Sequence, residues 1–322
     1  MTNTPIVTRR SALIAAAATP IVSGALAGVL SLRPALAAGH SAEKSNAPFS
    51  HYKVGDFIVT TLLAGSAPRD EPQSIFGMNV SAEEFAAVSA ENFIPADSVR
   101  FFFNVPVVNT GSDLILFDTG LGGKGTPAIV GALEAAGYAP QDVTKLVITH
   151  MHPDHIGGLM NNGSPTFPNA QMYTGQVEYD FWAGQDGAEG PAAMVRNMVT
   201  PMADKITFVK DGDSIASGIT AVEAFGHTPG HMTYMLESDG QQLMLLVDTA
   251  NHYVWSLGYP DWEVRFDANK AAAAATRRKL LGMLAADKVP FAGYHMPFPA
   301  VGYVDTRGDG FHYVPESYQL AL

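Results

Sequence analysis

Lys145-Leu146-Val147-Ile148-Thr149-His150-Met151-His152-Pro153-Asp154-His155-Ile156-Gly157-Gly158 joins a short apolar run to a dense group of polar side chains. The run from Lys145 to Thr149 reads as a buried strand, which puts the polar group on the loop leaving one edge of a sheet. The chain has only 10 His in 322 residues, so three of them beside an Asp in one short loop is not a chance pattern. Alternate residues His150 and His152 can point to one side while Asp154 and His155 turn to another. One loop can then serve two neighbouring metal ions. Imidazole with carboxylate suits zinc and neighbouring first-row metals. The chain has no Cys, which excludes thiolate ligands, thiolate nucleophiles and disulfides.

Outward from this loop, β patterning begins near Tyr52, with a strand over 57–63. Residues 82–88 read as a short helix capped by Ser81. Strands at 101–108 and 114–117 face each other across Asn109-Thr110-Gly111-Ser112-Asp113, a hairpin. Further helices are expected at 127–137 and 267–286, and strands at 219–225 and 242–247. The Ser/Gly/Asn-rich stretch 157–190 reads as a long surface loop with one helical insertion. Alternating strands and helices with hairpins among them favour an α/β layered domain with mixed sheets. Two strands end alike, Leu114 to Phe117 before Asp118 and Leu243 to Val247 before Asp248, which hints at an internal duplication.

A loop alone supplies too few ligands for two metals, so partners are expected at other strand ends. The candidates are Gly226-His227-Thr228-Pro229-Gly230-His231, Asp248, and His295 in Gly293-Tyr294-His295-Met296-Pro297. With Asp118-Thr119-Gly120, these segments in this order resemble the five motifs of the metallo-β-lactamase fold superfamily, over roughly residues 52–316. The resemblance implies a four-layer αβ/βα sandwich of two mixed β-sheets flanked by helices, with metals at one edge. It implies that His150, His152 and His231 hold one ion, that Asp154, His155 and His295 hold a second, and that Asp248 bridges them. Asp154 and Asp118 are the expected catalytic carboxylates, Asp118 by orienting a ligand through hydrogen bonds. His227, His252 and His312 match no ligand position and are expected to be structural or pocket residues. Two divalent transition-metal ions are implied, zinc first, with manganese, iron or cobalt as alternatives.

Finer segments, Gly157-Gly158-Leu159-Met160, Phe167-Pro168-Asn169-Ala170, Asp180-Phe181-Trp182 and Pro297-Phe298-Pro299, resemble methyl parathion hydrolases and related periplasmic lactonase-like enzymes. Those organophosphate hydrolases carry a pocket aromatic after the Asp-Thr-Gly turn, whereas Leu121-Gly122-Gly123-Lys124-Gly125 has none. The implied activity is hydrolysis of a neutral ester or lactone, such as an acyl-homoserine lactone, by a metal-bridging hydroxide. A phosphotriester is the alternative substrate, and a non-catalytic periplasmic metal-binding protein the outside one. Trp182, Phe298 and Tyr253 are the expected pocket residues.

Composition bounds the partners. A net charge of −12 excludes a nucleic-acid footprint and favours a small neutral substrate over a polyanion. Residues 1–38, with Arg9-Arg10 before an alanine-rich apolar run and Ala35-Leu36-Ala37, read as a twin-arginine-type signal peptide. That implies a periplasmic or secreted protein without stable membrane insertion after processing. Residues 39–51 are expected to be a flexible linker and 52–322 a single hydrolase domain, with room for a homodimer.

Overall fold

The structure is a computed structural model that describes residues 47–123, 125–186 and 189–316. The expected signal peptide and most of the expected linker lie outside them. The described residues all fall within one compact unit. Among the described residues no helix is long and apolar enough to cross a membrane.

The chain enters a sheet earlier than expected, because β1 (Phe49–Val54) takes the last residues assigned to the linker. It pairs antiparallel with β2 (Phe57–Asp70), which outruns its apolar core by several residues. Helix α1 (Ala82–Glu91) follows, its N-terminus capped by Ser81, whose hydroxyl accepts from Glu84 N. Then come β3 (Ser98–Asn109), β4 (Leu114–Phe117), α2 (Ala128–Ala135) and β5 (Lys145–Ile148). A single turn, α3 (Pro153–Ile156), carries Asp154 and His155.

The stretch 157–190 is not a long loop. It holds a small hairpin of β6 (Met160–Asn161) and β7 (Ser164–Pro165), then β8 (Gln171–Gly175) and α4 (Gln176–Ala183). Strand β8 pairs parallel with β5, and its five residues are too few to show a period in the sequence. Helix α5 (Gly190–Met198) and β9 (Ile206–Val209) complete this half, giving a seven-stranded sheet in the order β1-β2-β3-β4-β5-β8-β9.

The second half repeats the scheme. Strands β10 (Ser214–Ala216), β11 (Ile219–Glu223), β12 (Met232–Ser238) and β13 (Gln241–Leu245) precede helix α6 (Lys270–Asp287). After it come β14 (Phe291–Ala292), β15 (Val301–Arg307) and β16 (Gly310–Pro315), and the seven strands β10 to β16 lie in chain order. The sheets share a core in which Val59, Leu62, Val107 and Leu116 of one meet Ala221, Leu236 and Leu245 of the other. Phe117 and Tyr234 meet ring to ring at 5.1 Å across it. Leu280, Leu281 and Leu284 of α6 bury the outer face of the second sheet with Met244 and Phe291, while Ile129 and Leu133 of α2 join the shared core. The architecture is mixed α/β with two large mixed sheets and flanking helices.

Candidate metal centre

Strand ends from both sheets converge on one edge. The loop after β5 brings His150, His152, Asp154 and His155; the turn after β11 brings His227; the end of β13 brings Asp248; and the segment after β14 brings His295. Three overlapping groups form there: His150 with His152 and His227, His150 with His155 and Asp248, and Asp154 with His155 and His295. Within each group the nearest ligand atoms lie within 4.8 Å of one another.

Hydrogen bonds behind the rings aim them. His155 Nδ1 donates to Asp118 Oδ2 at 2.8 Å, His227 Nδ1 to Asp267 Oδ1 at 2.9 Å, and His295 Nδ1 to the Phe102 carbonyl at 2.8 Å. Each ring therefore presents Nε2 to the centre. There His227 Nε2 lies 3.0 Å from His152 Nδ1, and His150 Nε2 3.2 Å from the same atom. His295 Nε2 lies 3.2 Å from Asp248 Oδ2 and 3.4 Å from Asp154 Oδ2. His155 Nε2 and Asp248 Oδ1 are 3.5 Å apart, fully buried, and have no hydrogen-bond partner. Unpartnered buried polar atoms are costly, and imidazole nitrogens gathered around carboxylate oxygens are a donor set that fits divalent metal ions.

Charge is distributed accordingly. Burial drives His150 well down and His152 to about 2, and the neighbouring imidazoles add to it. Burial would also lower His227, but hydrogen bonds to Asp248 and Asp267 raise it to about 9. Burial would raise Asp248, yet His295 and His155 hold it well below the carboxylate range.

One expected ligand is displaced. His231 is buried just behind the cluster, where its Nδ1 donates to the Ala224 carbonyl at 3.0 Å and its Nε2 accepts from Asp248 N at 3.4 Å. Both ring nitrogens are engaged by backbone, and His231 is in none of the three groups. His227, expected to be structural, is in one of them. Counting along Gly226-His227-Thr228-Pro229-Gly230-His231 could not separate the two. What separates them is Asp267, forty residues on, whose other oxygen receives Arg277 Nη2 at 3.1 Å. Asp118 lies where the orienting role expected for it would place it: it is 1% exposed, accepts from Thr149 N, Thr149 Oγ1 and His155 Nδ1, and is absent from the lining of the metal-side cavity.

A cavity of about 360 Å³ opens onto His152, Asp154, His227, Asp248 and His295. Its walls are Phe101, Phe103, Leu121, Pro191 and Phe266, with Arg69 at the overhanging end of the β2–β3 ribbon. Edges of Phe101 and Phe103 meet the His295 ring at 5.4 and 5.6 Å. Phe266 was not anticipated by sequence. The expected pocket residues lie elsewhere. Tyr253 and Phe298 line a separate cavity of about 1050 Å³ with Trp262, Arg278 and Arg307. The Trp182 ring sits 6.0 Å from that of His152, but its Nε1 donates to Glu178 Oε1 and it does not line the metal-side cavity. His252 is buried against Trp255 and His312 lines the larger cavity, both away from the cluster.

N-acyl homoserine lactonases of Bacillus sp and Bacillus cereus are 27% and 26% identical over 124 residues, 38% of this chain, and the match spans 45% of their own length. A probable metallo-hydrolase of Mycobacterium bovis is 24% identical over 229 residues, 60% of this chain and 68% of its own. Among solved structures, AidC, a dizinc quorum-quenching lactonase in complex with a product, superposes with a TM-score of 0.79 at 27% identity, over 85% of this chain and 99% of AidC. The hydrolase AbOPH of the beta-lactamase superfamily gives 0.77 at 26%, with the same coverage. The pattern of the metallo-beta-lactamase superfamily matches residues 101–292, more than half of the sequence, and the chain belongs to that superfamily.

Proposed function

We propose that this protein is a dinuclear metal-dependent hydrolase of neutral esters and lactones, with N-acyl homoserine lactones its foremost substrates. The observation that carries the reading is the pair of unpartnered buried atoms, His155 Nε2 and Asp248 Oδ1, at the foot of an apolar cavity. His150, His152 and His227 would hold one ion, Asp154, His155 and His295 the other, and Asp248 would stand between them. The dizinc lactonase AidC and the Bacillus lactonases support zinc and this substrate class. When bound, two such ions supply Lewis acidity and a water made acidic enough to attack near neutral pH.

The chain's own residues do the rest. Asp154, whose side chain is 23% exposed on the cavity, would bind the ion through one carboxylate oxygen, and the other can take a proton and return it to the leaving alkoxide. Phe101, Phe103 and Phe266 exclude water and fit an acyl chain. Leu121 and the open space around Gly123 leave the rim without a flat face for an aryl leaving group, which favours a lactone over a phosphotriester. The test is kcat/KM of the zinc-loaded protein for N-hexanoyl-homoserine lactone against methyl parathion, with and without chelator. The lactone is expected to lead by about tenfold or more, and chelation to abolish both activities. A leading phosphotriester would reverse the substrate order; no turnover of either with two zinc ions bound would retire the hydrolase reading.

A further inference from the structure

Glu178 is a carboxylate with no exposed surface, placed in the first turn of α4, and it bonds to nothing but the segments around the cluster and Trp182. Oε1 accepts from Met151 N at 2.9 Å and from Trp182 Nε1 at 2.7 Å. Oε2 accepts from Thr228 Oγ1 at 2.6 Å and from Gly230 N at 3.0 Å. Met151 lies between His150 and His152, while Thr228 and Gly230 belong to the turn that carries His227. One side chain thus grips both loops that would bind the first ion, one loop from each sheet.

Backbone packing repeats the message. A Cβ on Gly230 would meet Glu178 N at 2.1 Å, and one on Gly175 would meet the Gly230 carbonyl at 3.0 Å, so the turn is seated directly on the start of α4. The backbone bond from Met232 N to the Thr149 carbonyl, 3.1 Å, joins the same two segments from the other side. The second ion's ligands have different supports: Asp118 behind His155, and the Phe102 carbonyl behind His295.

We infer that Glu178 is a positioning residue for one metal ion only: it clamps the His150–His152 loop against the His227 turn and sets the spacing of that ion's ligands. The inference rests on the ligand assignment proposed above. Four donors converge on the carboxylate, and a carboxamide in its place can accept at one oxygen only. Glu178→Gln therefore directs an N–H group at donors and releases at least one loop.

The experiment is zinc competition with a chromophoric chelator on wild type, Glu178→Gln and Thr228→Val, alongside thermal unfolding of each metal-free protein. Wild type is expected to hold two zinc ions. Glu178→Gln is expected to bind one of them at least tenfold more weakly and to keep the other, the size seen when an outer partner of a metal ligand is lost. Thr228→Val, which leaves the carboxylate in place, is expected to weaken the same ion about two- to tenfold and decides the matter if Glu178→Gln does not fold. Both ions retained at wild-type affinity, or both weakened alike with a lowered metal-free Tm, would overturn the inference and leave Glu178 a general support of the fold. Fewer than two zinc ions on wild type would overturn the ligand assignment itself, and this inference with it.

Discussion

The two sheets are built alike, and each ends its fourth strand beside an aspartate, yet the two aspartates do opposite things. In both halves three antiparallel pairings lead to that strand, whose other neighbour runs parallel to it. Both strand ends place a non-glycine residue in the left-handed region, Asp118 at φ 67° and Val247 at φ 49°. Asp118 is then saturated by Thr149 and His155, whereas Asp248 has Asn251 Nδ2 and the Nε2 atoms of His227 and His295 around Oδ2 and no hydrogen-bond partner on Oδ1. Position after a strand does not assign the chemistry. Donors do: a carboxylate whose lone pairs meet N–H and O–H groups orients its neighbours, and one with an oxygen left bare among imidazoles is suited to face a cation.

This contrast can be broken by experiment. Asp248→Asn removes the charge between the two proposed ions, and lactone kcat/KM is expected to fall by about a thousandfold or more, with zinc content reduced at both positions. Asp118→Asn weakens the acceptor behind His155 and its bonds to Thr149 but leaves the charge of Asp248 in place; about a ten- to hundredfold loss of zinc affinity is expected, measured by chelator competition. Equal losses from the two substitutions would abolish the distinction between them. The paired histidines sharpen it further. His227→Ala is expected to empty one zinc position by elemental analysis, while His231→Gln should leave two ions bound per chain.

The smallest effect concerns an imidazole with no carboxylate beside it. Burial against Phe76 and Trp255 lowers His252 to about 3, so the folded protein holds it neutral while the unfolded chain protonates it near 6.5. Its folded pKa is depressed, the unfolded state binds the extra proton, and stability drops as pH falls below about 6.5, by at most about 1.4 kcal/mol per unit. Denaturant unfolding at pH 6.5 and 5.5 should show a shallower pH dependence for His252→Gln than for wild type. Identical slopes would refute the assignment.

Much of this was legible because it is local. The α1 cap at Ser81, the β3–β4 hairpin and the histidine loop after β5 are each written within about a dozen residues, where capping, turn chemistry and ligand spacing act. What was not legible depends on distant partners. His227 and His231 share one turn, and only Asp267 and the Ala224 carbonyl tell them apart. Tyr253 and Phe298 look like pocket aromatics beside their motifs, but the fold turns them toward a different cavity. Glu178 carries no motif at all, since a lone Glu early in a helix ordinarily reads as a favourable charge at the N-terminus.

The rear hydrogen bonds of His155, His227 and His295 also bear on how metal and fold share their free energy. With the imidazoles held in place by Asp118, Asp267 and the Phe102 carbonyl, most of the ordering of these ligands is complete once the chain has folded. A metal ion bound there would then act as an ordinary ligand of the native state, adding stability as RT ln(1 + [L]/Kd) and not as the nucleus of folding. Its contribution grows with the free metal concentration, by about 1.4 kcal/mol per site for each tenfold rise above Kd, and ions can be exchanged one for another without passing through the unfolded chain.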